Sequence, residues 1–294
     1  METIPAKNML TRTKNNFWFG TDYNMNIYRG CSHGCIYCDS RSDCYGIEAF
    51  DQVRAKESAL SILEDNLRRK TLKGVVGTGA MSDPYNPIEK KYQLTRQALG
   101  LFKSYGFGVA IATKSPLVTR DNDLLAGIQQ RSPVIVKITI TCADDQLAQI
   151  IEPRVAPSSN RFAAIKELAD CGIFSGVLLM PILPFINDTP ANIKDIVVAA
   201  ADHGARFIYP AFGVTLRDSQ RLYFYDQLDA HFPGIKKEYL RSFGNAYSCA
   251  SPQAKSLWAT FTRECQRQGL LYKMEDIITR YKLEHGSQQL SFLF

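Results

Sequence analysis

The chain has 294 residues, enough for one large domain or for a domain with an appendage. Its 45% hydrophobic and 22% charged residues are ordinary for a globular protein, and no run approaches the roughly 18 consecutive apolar residues of a membrane span. A net charge of +6 permits an anionic partner such as nucleic acid without requiring one. We therefore expect a cytoplasmic protein with no membrane partner.

Short β-branched segments alternate with amphipathic segments through residues 24–216. The strands are too continuously apolar to have one exposed face, which indicates a parallel sheet covered by helices. The predicted strands are residues 24–30, 74–80, 108–113, 134–142, 174–181 and 205–211. The predicted helices between and after them are residues 52–69, 92–105, 121–130, 158–171 and 189–203. Six strand–helix units fit an open doubly wound sheet or a barrel, and no Gly-x-Gly-x-x-Gly follows the first strand to favour a dinucleotide-binding domain.

The ends of the chain differ from this middle part. Residues 1–23 are predicted to be an extended lead-in whose aromatic residues Phe17, Trp18 and Phe19 are pinned onto the domain. Residues 217–288 are predicted to be helical, without further strands, over 222–232, 252–268 and 275–285. Residues 289–294 form a short apolar tail.

Three cysteines, Cys31, Cys35 and Cys38, lie within eight residues after the first predicted strand. Iron–sulfur cubanes are normally held by four thiolates, so a loop that offers three leaves one iron open for a small ligand. His33 and Cys44 could instead complete a tetrahedral zinc site. A disulfide framework is disfavoured in a chain of this length without a signal peptide.

Other candidate residues follow later strands, where a barrel or an open parallel sheet collects its ligands. Gly77 and Gly79 allow a close approach of backbone to a ligand, or else belong to a proline-rich surface turn. Lys114 could pair with a carboxylate or phosphate, or be a solvated loop lysine.

A charged set follows the fourth strand. Glu152, Arg154 and Arg161 could clamp a carboxylate, or form a structural ion pair on the rim. Cys142 ends that strand, where a small buried hydrophobic residue is the alternative.

Five motifs in order carry a resemblance to a known family. They are Cys-x3-Cys-x-Tyr-Cys, Asp-Pro-Tyr-x-Pro-x-Glu, Thr-Lys-Ser with a later Arg-Asp, Glu-Pro-Arg, and Pro-Ile-x-Pro-x-x-Asn-Asp. Together they resemble the radical S-adenosylmethionine (SAM) superfamily, and within it the spore photoproduct lyase-like branch, over roughly residues 20–270. The resemblance implies a partial (β/α)6 TIM-like barrel, open on one side, with a helical C-terminal appendage.

The resemblance also implies cofactors. A [4Fe–4S] cluster would be held by Cys31, Cys35 and Cys38, and its open iron would bind SAM, whose reductive cleavage gives a 5′-deoxyadenosyl radical. An electron donor such as flavodoxin or ferredoxin is implied as a partner. The implied SAM contacts are Tyr37, Gly77, Thr78, Gly79, Lys114, Thr139, Thr141, Glu152, Arg154 and Arg161.

Two departures from the branch limit the functional prediction. Spore photoproduct lyase carries a hydrogen-donating cysteine just before a Ser-Asp pair that resembles Ser82 and Asp83, but here Ala80 and Met81 precede that pair. We therefore expect a reaction other than that of the named enzyme. Asp39 stands where relatives commonly have an aromatic residue.

Candidate hydrogen donors to a radical are Cys142 and Tyr85, with Tyr209 and Tyr247 as further tyrosines. The leading functional prediction is a radical SAM enzyme that acts on nucleic acid in a reaction resembling DNA repair. Modification of a peptide, small molecule or partner protein is a second possibility, and a non-catalytic metal-cluster DNA-binding protein is a third. Residues 289–294 resemble sliding-clamp peptides, or else fold onto the domain as an apolar tail.

Overall fold

The computed structural model describes residues 2–283. The strands are β1 Thr3–Ile4, β2 Thr11–Arg12, β3 Tyr23–Asn24, β4 Tyr28–Arg29, β5 Arg54–Lys56, β6 Val75–Thr78, β7 Gly108–Thr113, β8 Val134–Thr139, β9 Ser175–Leu179, β10 Phe207–Pro210, β11 Gly213–Thr215 and β12 Ser248–Ala250. The α-helices are α1 Ala59–Arg68, α2 Glu89–Tyr92, α3 Leu94–Tyr105, α4 Asn122–Gln129, α5 Asp145–Ile151, α6 Ser158–Asp170, α7 Pro190–Asp202, α8 Asp218–His231, α9 Ile235–Phe243, α10 Ala254–Gln268 and α11 Met274–Lys282. Short 3₁₀ helices cover Asp39–Arg41, Asp43–Tyr45 and Pro116–Asp121.

One seven-stranded sheet organises the molecule, in the order β10-β9-β8-β7-β6-β3-β2. Its strands are parallel except β2, which runs antiparallel to β3. Strands β6 to β10 are neighbours in chain order, and helices connect them, as in successive units of a barrel that does not close. The predicted partial barrel with a helical C-terminal appendage is confirmed.

The central strands are buried on both faces, which explains their continuous apolar sequences. On one face, Val109, Ile111, Val136 and Ile138 pack in the main core with the surrounding helices. On the other face, alternate residues of the same strands pack in a second core that includes segments from both chain ends. That second core contains Phe19, Val75, Ala110, Ile135, Leu178, Phe207, Met274, Ile277 and Tyr281.

Two predicted elements differ from the structure because pairing between distant segments overrides the local pattern. The predicted strand 24–30 is divided between β3 in the main sheet and β4 in a separate sheet of order β1-β5-β4. The predicted helix 52–69 begins only at Ala59, because Arg54–Lys56 pairs with both β1 and β4. The predicted extended lead-in contributes the short strands β1 and β2.

The C-terminal region is mostly helical, as expected, but the prediction of no further strands is wrong. The short strand β12 pairs antiparallel with β11. After α10, Leu271 bonds to the backbone at the outer edge of β10, with Ile208 N–H donating to its carbonyl at 2.9 Å. The following α11 packs beside Phe19 in the second core. Residues 271–282 therefore cover one edge and part of the inner face of the sheet.

No helix within residues 2–283 is long and apolar enough to cross a membrane. The predicted clamp-like tail, residues 289–294, lies outside the described residues.

The lead-in aromatics divide into buried and exposed members. Phe19 is 0% exposed, whereas Phe17 is 63% exposed. Replacing Phe19 with Ala should lower the free energy of unfolding by about 3–5 kcal/mol, because it empties the centre of the second core. The matched variant Phe17→Ala should change it by less than about 0.5 kcal/mol. Chemical denaturation of both variants tests this, and equal effects would contradict the placement of the lead-in.

Candidate functional site

The loop with the three cysteines is fastened to segments that follow parallel strands. Cys31 N–H donates to the Phe50 carbonyl at 2.8 Å, and Ile36 N–H donates to the Ile151 carbonyl at 3.0 Å. Gly30 precedes the loop at φ +79°, where a Cβ would lie 2.6 Å from the Phe50 carbonyl oxygen, so only glycine fits. Ile151 ends α5, the first helix after β8, so the second bond fastens the loop to the segment that follows β8.

Asp83, which follows β6, joins the cysteine loop to two strand ends. Its Oδ1 accepts hydrogen bonds from Thr113 Oγ1 at 2.6 Å and from Tyr85 N–H at 2.8 Å. Its Oδ2 accepts the Lys114 N–H at 2.8 Å and lies 3.4 Å from Nδ1 of His33, within the cysteine loop. A single buried carboxylate thus fixes the relative positions of three segments that are distant in the sequence.

The neighbours of Asp83 add to this attachment. Ser82 Oγ donates to the carbonyl of Gly30. Ser32 N–H donates to Asn86 Oδ1 at 3.2 Å, and Asn86 Nδ2 donates to Ser82 Oγ at 3.2 Å. The polar, proline-rich segment after β6 was predicted as a ligand loop or a surface turn. Its described contacts include the cysteine loop, and its residues Tyr85 and Pro87 line a cavity.

A buried ionic chain holds the other end of the loop. Tyr37 Oη donates to Glu152, which forms an ion pair with Arg161 at 2.7 Å. Arg161 Nη1 also donates to the Thr139 carbonyl at 2.7 Å, at the end of β8. Burial acts to raise the pKa of Glu152, but Arg161 first, then Lys114 and the Tyr37 hydrogen bond, outweigh it, and the pKa lies below its usual value.

The three thiols differ in electrostatic environment. Burial acts to raise the pKa of Cys31, but a hydrogen bond from His33 and the charge of that imidazole lower it overall. Burial raises the pKa of both Cys35 and Cys38, and the positive charge of Lys114 partly opposes this. The loop therefore combines three free thiols with nearby cationic groups, a donor set suited to thiolate ligation.

The same charged groups shift the pKa of Lys114. Burial acts to lower its pKa, but Cys35, Glu152 and Asp83 raise it overall, so the side chain remains an ammonium group. Its Nζ lies 5.7 Å from the ring centroid of Tyr37.

Within residues 2–283, no three Cys, His, Asp or Glu side chains converge closely enough to hold a single metal ion. The predicted alternative of a tetrahedral zinc site with His33 and Cys44 needs such convergence, and Cys44 is exposed. A cubane cluster places a different iron atom at each thiolate, so it does not require the three sulfurs to meet at one point. The cysteine loop fits a cluster better than it fits a single ion.

Asp39, directly after the third cysteine, has a specific partner. Its carboxylate forms an ion pair with Arg217 at 2.7 Å and accepts the hydroxyl of Tyr45 at 2.7 Å and that of Thr215 at 3.3 Å. The residue that departs from the family pattern therefore fastens the cysteine loop to the start of the C-terminal region.

The predicted cofactor contacts do not all lie together in the structure. Arg154 does not join Glu152 and Arg161, because its side chain is 56% exposed and pairs with Asp51 at 2.9 Å. Gly79 has φ +96°, and a Cβ there would lie 1.9 Å from the Ala112 carbonyl oxygen, so packing between strands already requires this glycine. Five of the predicted residues form one connected group, namely Tyr37, Lys114, Thr139, Glu152 and Arg161. The others, which are Gly77, Thr78, Gly79, Thr141 and Arg154, lie outside that group.

The two leading candidate hydrogen donors lie in different surroundings. Cys142 is fully buried, and its Sγ accepts Asn187 Nδ2 at 3.4 Å. Tyr85 donates its hydroxyl to Asp121 at 3.1 Å and lines a cavity of about 410 Å³, together with His33 and Lys114. That volume lies in the range of small-molecule sites.

Comparisons with known proteins agree with this arrangement. The family model described as Radical SAM superfamily matches residues 25–197. An uncharacterized protein of Mycobacterium tuberculosis is 29% identical, over 80% of this chain and 71% of its own length. An uncharacterized protein of Methanocaldococcus jannaschii is 34% identical, over 63% of this chain and 68% of its own.

Among solved structures, a point mutant of spore photoproduct lyase has a TM-score of 0.68 at 12% identity, over 90% of this chain and 78% of that one. The radical S-adenosylmethionine methyltransferase TsrM from Kitasatospora setae has a TM-score of 0.55 at 14% identity, over 83% of this chain and 51% of that one. These likenesses show a shared fold. The chain belongs to the radical SAM superfamily.

The buried pair Glu152–Arg161 can be compared with the exposed pair Asp51–Arg154. Glu152→Gln should cost about 3–5 kcal/mol in the free energy of unfolding near neutral pH, because it leaves a buried guanidinium unpaired. Arg154→Ala should cost less than about 1 kcal/mol. Urea denaturation of both variants measures the difference.

The cost of Glu152→Gln should also depend on pH. The pKa of Glu152 is lowered in the folded state, so its stabilisation is complete above the usual carboxyl pKa and is lost as pH falls through the lowered value. The gap in unfolding free energy between wild type and Glu152→Gln should therefore narrow in acid. A gap that is constant down to the lowest folded pH would contradict a charged Glu152.

Proposed function

We propose that this member of the radical SAM superfamily binds a [4Fe–4S] cluster through Cys31, Cys35 and Cys38 and acts on nucleic acid. The observation that carries the proposal is the gathering of three thiols on one loop at the carboxyl edge of a parallel, barrel-like sheet. A second observation supports it, namely the buried network that fixes this loop to the ends of β6, β7 and β8.

A bound, reduced cluster would supply the electron for the cleavage of SAM to methionine and a 5′-deoxyadenosyl radical. The residues of this chain provide ligation, orientation and shielding. Lys114 places an ammonium group beside the thiols, where it offsets their negative charge and can pair with the carboxylate of a bound cofactor. Tyr37, held by Glu152, packs beneath that ammonium and keeps the loop in place.

The placement of the candidate hydrogen donors favours Tyr85 over Cys142. Tyr85 lines the cavity beside the cysteine loop, and burial first, then Asp121, raises its pKa well above the usual value, so it keeps its phenolic hydrogen. Cys142 does not line that cavity. Tyr85 is therefore our candidate for the group that returns a hydrogen atom to the substrate.

Two features support a nucleic-acid substrate. The net charge of +6 favours an anionic partner. The fold is similar to that of spore photoproduct lyase, and one such structure is described as complexed with a dinucleoside spore photoproduct. Because Ala80 and Met81 precede Ser82, no thiol occupies the place of the donor in the named enzyme, so we propose a related reaction on nucleic acid rather than the same one.

The missing thiol also supports a second candidate function, a radical SAM modification of a peptide or small molecule. TsrM, with a similar fold, is described with a tryptophan substrate bound.

Cluster ligation is tested by single Ser substitutions of Cys31, Cys35 and Cys38 in protein reconstituted with iron and sulfide. Each should lose most of the bound iron and the formation of 5′-deoxyadenosine under dithionite, because a cubane lacks one of its thiolates. Cys44→Ser is the matched control, since Cys44 is exposed and lies in the same segment. Retention of cluster and cleavage by the three variants, or equal loss by the control, would contradict the assignment.

The substrate class is tested by measuring 5′-deoxyadenosine in the presence of ultraviolet-damaged DNA, undamaged DNA or a peptide mixture. We expect the rate to rise above the substrate-free rate with nucleic acid only, since a bound substrate consumes the radical productively. A rise with the peptide mixture alone would favour the second candidate function.

A further inference from the structure

A lysine interrupts the apolar sequence of the central strand β8. Lys137 is 2% exposed and stands in Val134–Thr139, whose other residues are apolar except for the terminal threonine. It alternates with Val136 and Ile138 of the main core, so it belongs to the inner face, like Ile135. Packing of the sheet does not call for an ammonium group at this position, and such local exceptions are typical of functional sites.

The ammonium group of Lys137 has no hydrogen-bond or ion-pair partner among residues 2–283. Its described contact is with Phe19, whose ring centroid lies 4.6 Å from Nζ. Burial alone lowers the pKa of Lys137 to about 7, because no nearby charge compensates for the lost solvation. A cation–π contact offsets only a small part of the cost of burying an unpaired ammonium group.

The surroundings place Lys137 at the floor of the barrel interior. In the sheet register its neighbours are Ala112 and Gly176, which have little or no side chain on this face. Phe19 lies against it and contacts Tyr209 at 5.6 Å and Phe207 at 5.8 Å between centroids. Below the lysine the interior is therefore filled by aromatic rings.

Toward the carboxyl end of β8, the interior above Lys137 lies nearer the cysteine loop. Thr139, at the carboxyl end of β8, is two residues from Lys137, about 7 Å along the strand. The Thr139 carbonyl accepts Arg161, which belongs to the network that holds Tyr37. Ala112 and Tyr209, which share the inner face, are only half-buried, so solvent reaches the interior beside this buried lysine.

We propose that Lys137 binds a phosphodiester oxygen of the substrate from the floor of the barrel interior. The inference rests on the proposed nucleic-acid function and adds a specific contact to it. A buried amine without a charged partner binds an oxyanion strongly, because the ligand provides the negative charge that no protein side chain provides. A neutral substrate would leave the amine without a partner.

The test uses reconstituted holoenzyme with SAM present, at one fixed salt concentration. Calorimetry measures the binding of a thymidine dinucleotide with a natural phosphodiester, and of the same dinucleotide with an uncharged methylphosphonate linkage. The variants are Lys137→Met, which keeps an apolar stem of similar length, and Lys166→Met as a control for the loss of one surface charge. Lys166 is 61% exposed on α6.

Lys137→Met should weaken binding of the phosphodiester about ten- to a hundredfold, as expected for the loss of one charged hydrogen bond. The methylphosphonate should bind wild type and Lys137→Met equally, and Lys166→Met should behave as wild type with both ligands. Thermal unfolding should show Lys137→Met to be at least as stable as wild type, because an unpaired buried amine has been removed.

Equal binding of the phosphodiester by wild type and Lys137→Met would overturn the inference, and so would a wild type that binds neither dinucleotide. A large loss of stability in Lys137→Met would show a structural lysine and would overturn it as well. Substrate-free formation of 5′-deoxyadenosine by wild type is measured in the same preparation. That measurement separates failure at Lys137 from failure of the radical SAM assignment.

Discussion

The carboxylate of Asp83 is the interaction on which the arrangement of the site depends. It accepts bonds from the ends of two neighbouring segments, at Tyr85 and Thr113, and faces His33 in the cysteine loop. Each donor is buried, so each needs an acceptor that water cannot supply. Removing this carboxylate would leave several donors unsatisfied at once, which is why one residue can determine where the cysteine loop lies.

A second buried group, Glu152 with Arg161 and Tyr37, holds the same loop from the side of β8. The loop is thus fixed at two separated points by charged groups rather than by apolar packing alone. Buried ion pairs contribute little net stability but specify geometry, because alternative positions would leave a charge unpaired. Here they fix three thiols at the edge of the sheet where the strands end. Two cationic groups lie near these thiols: the charge of Lys114 acts on Cys35, and His33 is hydrogen-bonded to Cys31.

The sequence predicts the sheet well where local and tertiary preferences agree. The strands β7 and β8 are long apolar and β-branched runs, and the helix α7 begins with Pro190 after the capping residue Thr189. It predicts residues 52–69 poorly, because an amphipathic period extends into Arg54–Lys56, which pairs as a strand with two distant segments. No local pattern carries information about that pairing.

The same distinction applies to the site. The cysteines and Lys114 could be found from spacing and from their position after strands. The role of Asp83 could not, because its partners come from three segments that only the fold brings together. The sequence does not single out Lys137 for a similar reason. A single lysine in an apolar strand cannot be assigned to a face of the sheet until the fold is known.

The central claim is that the three-cysteine loop holds a cubane with one iron open to SAM. Electron paramagnetic resonance of the anaerobically reduced, reconstituted protein, recorded with and without SAM, tests it most directly. The account predicts the signal of a reduced [4Fe–4S] cluster whose line shape changes when SAM binds to the open iron. A cluster signal indifferent to SAM, or a protein that takes up zinc and no iron–sulfur cluster, would contradict it.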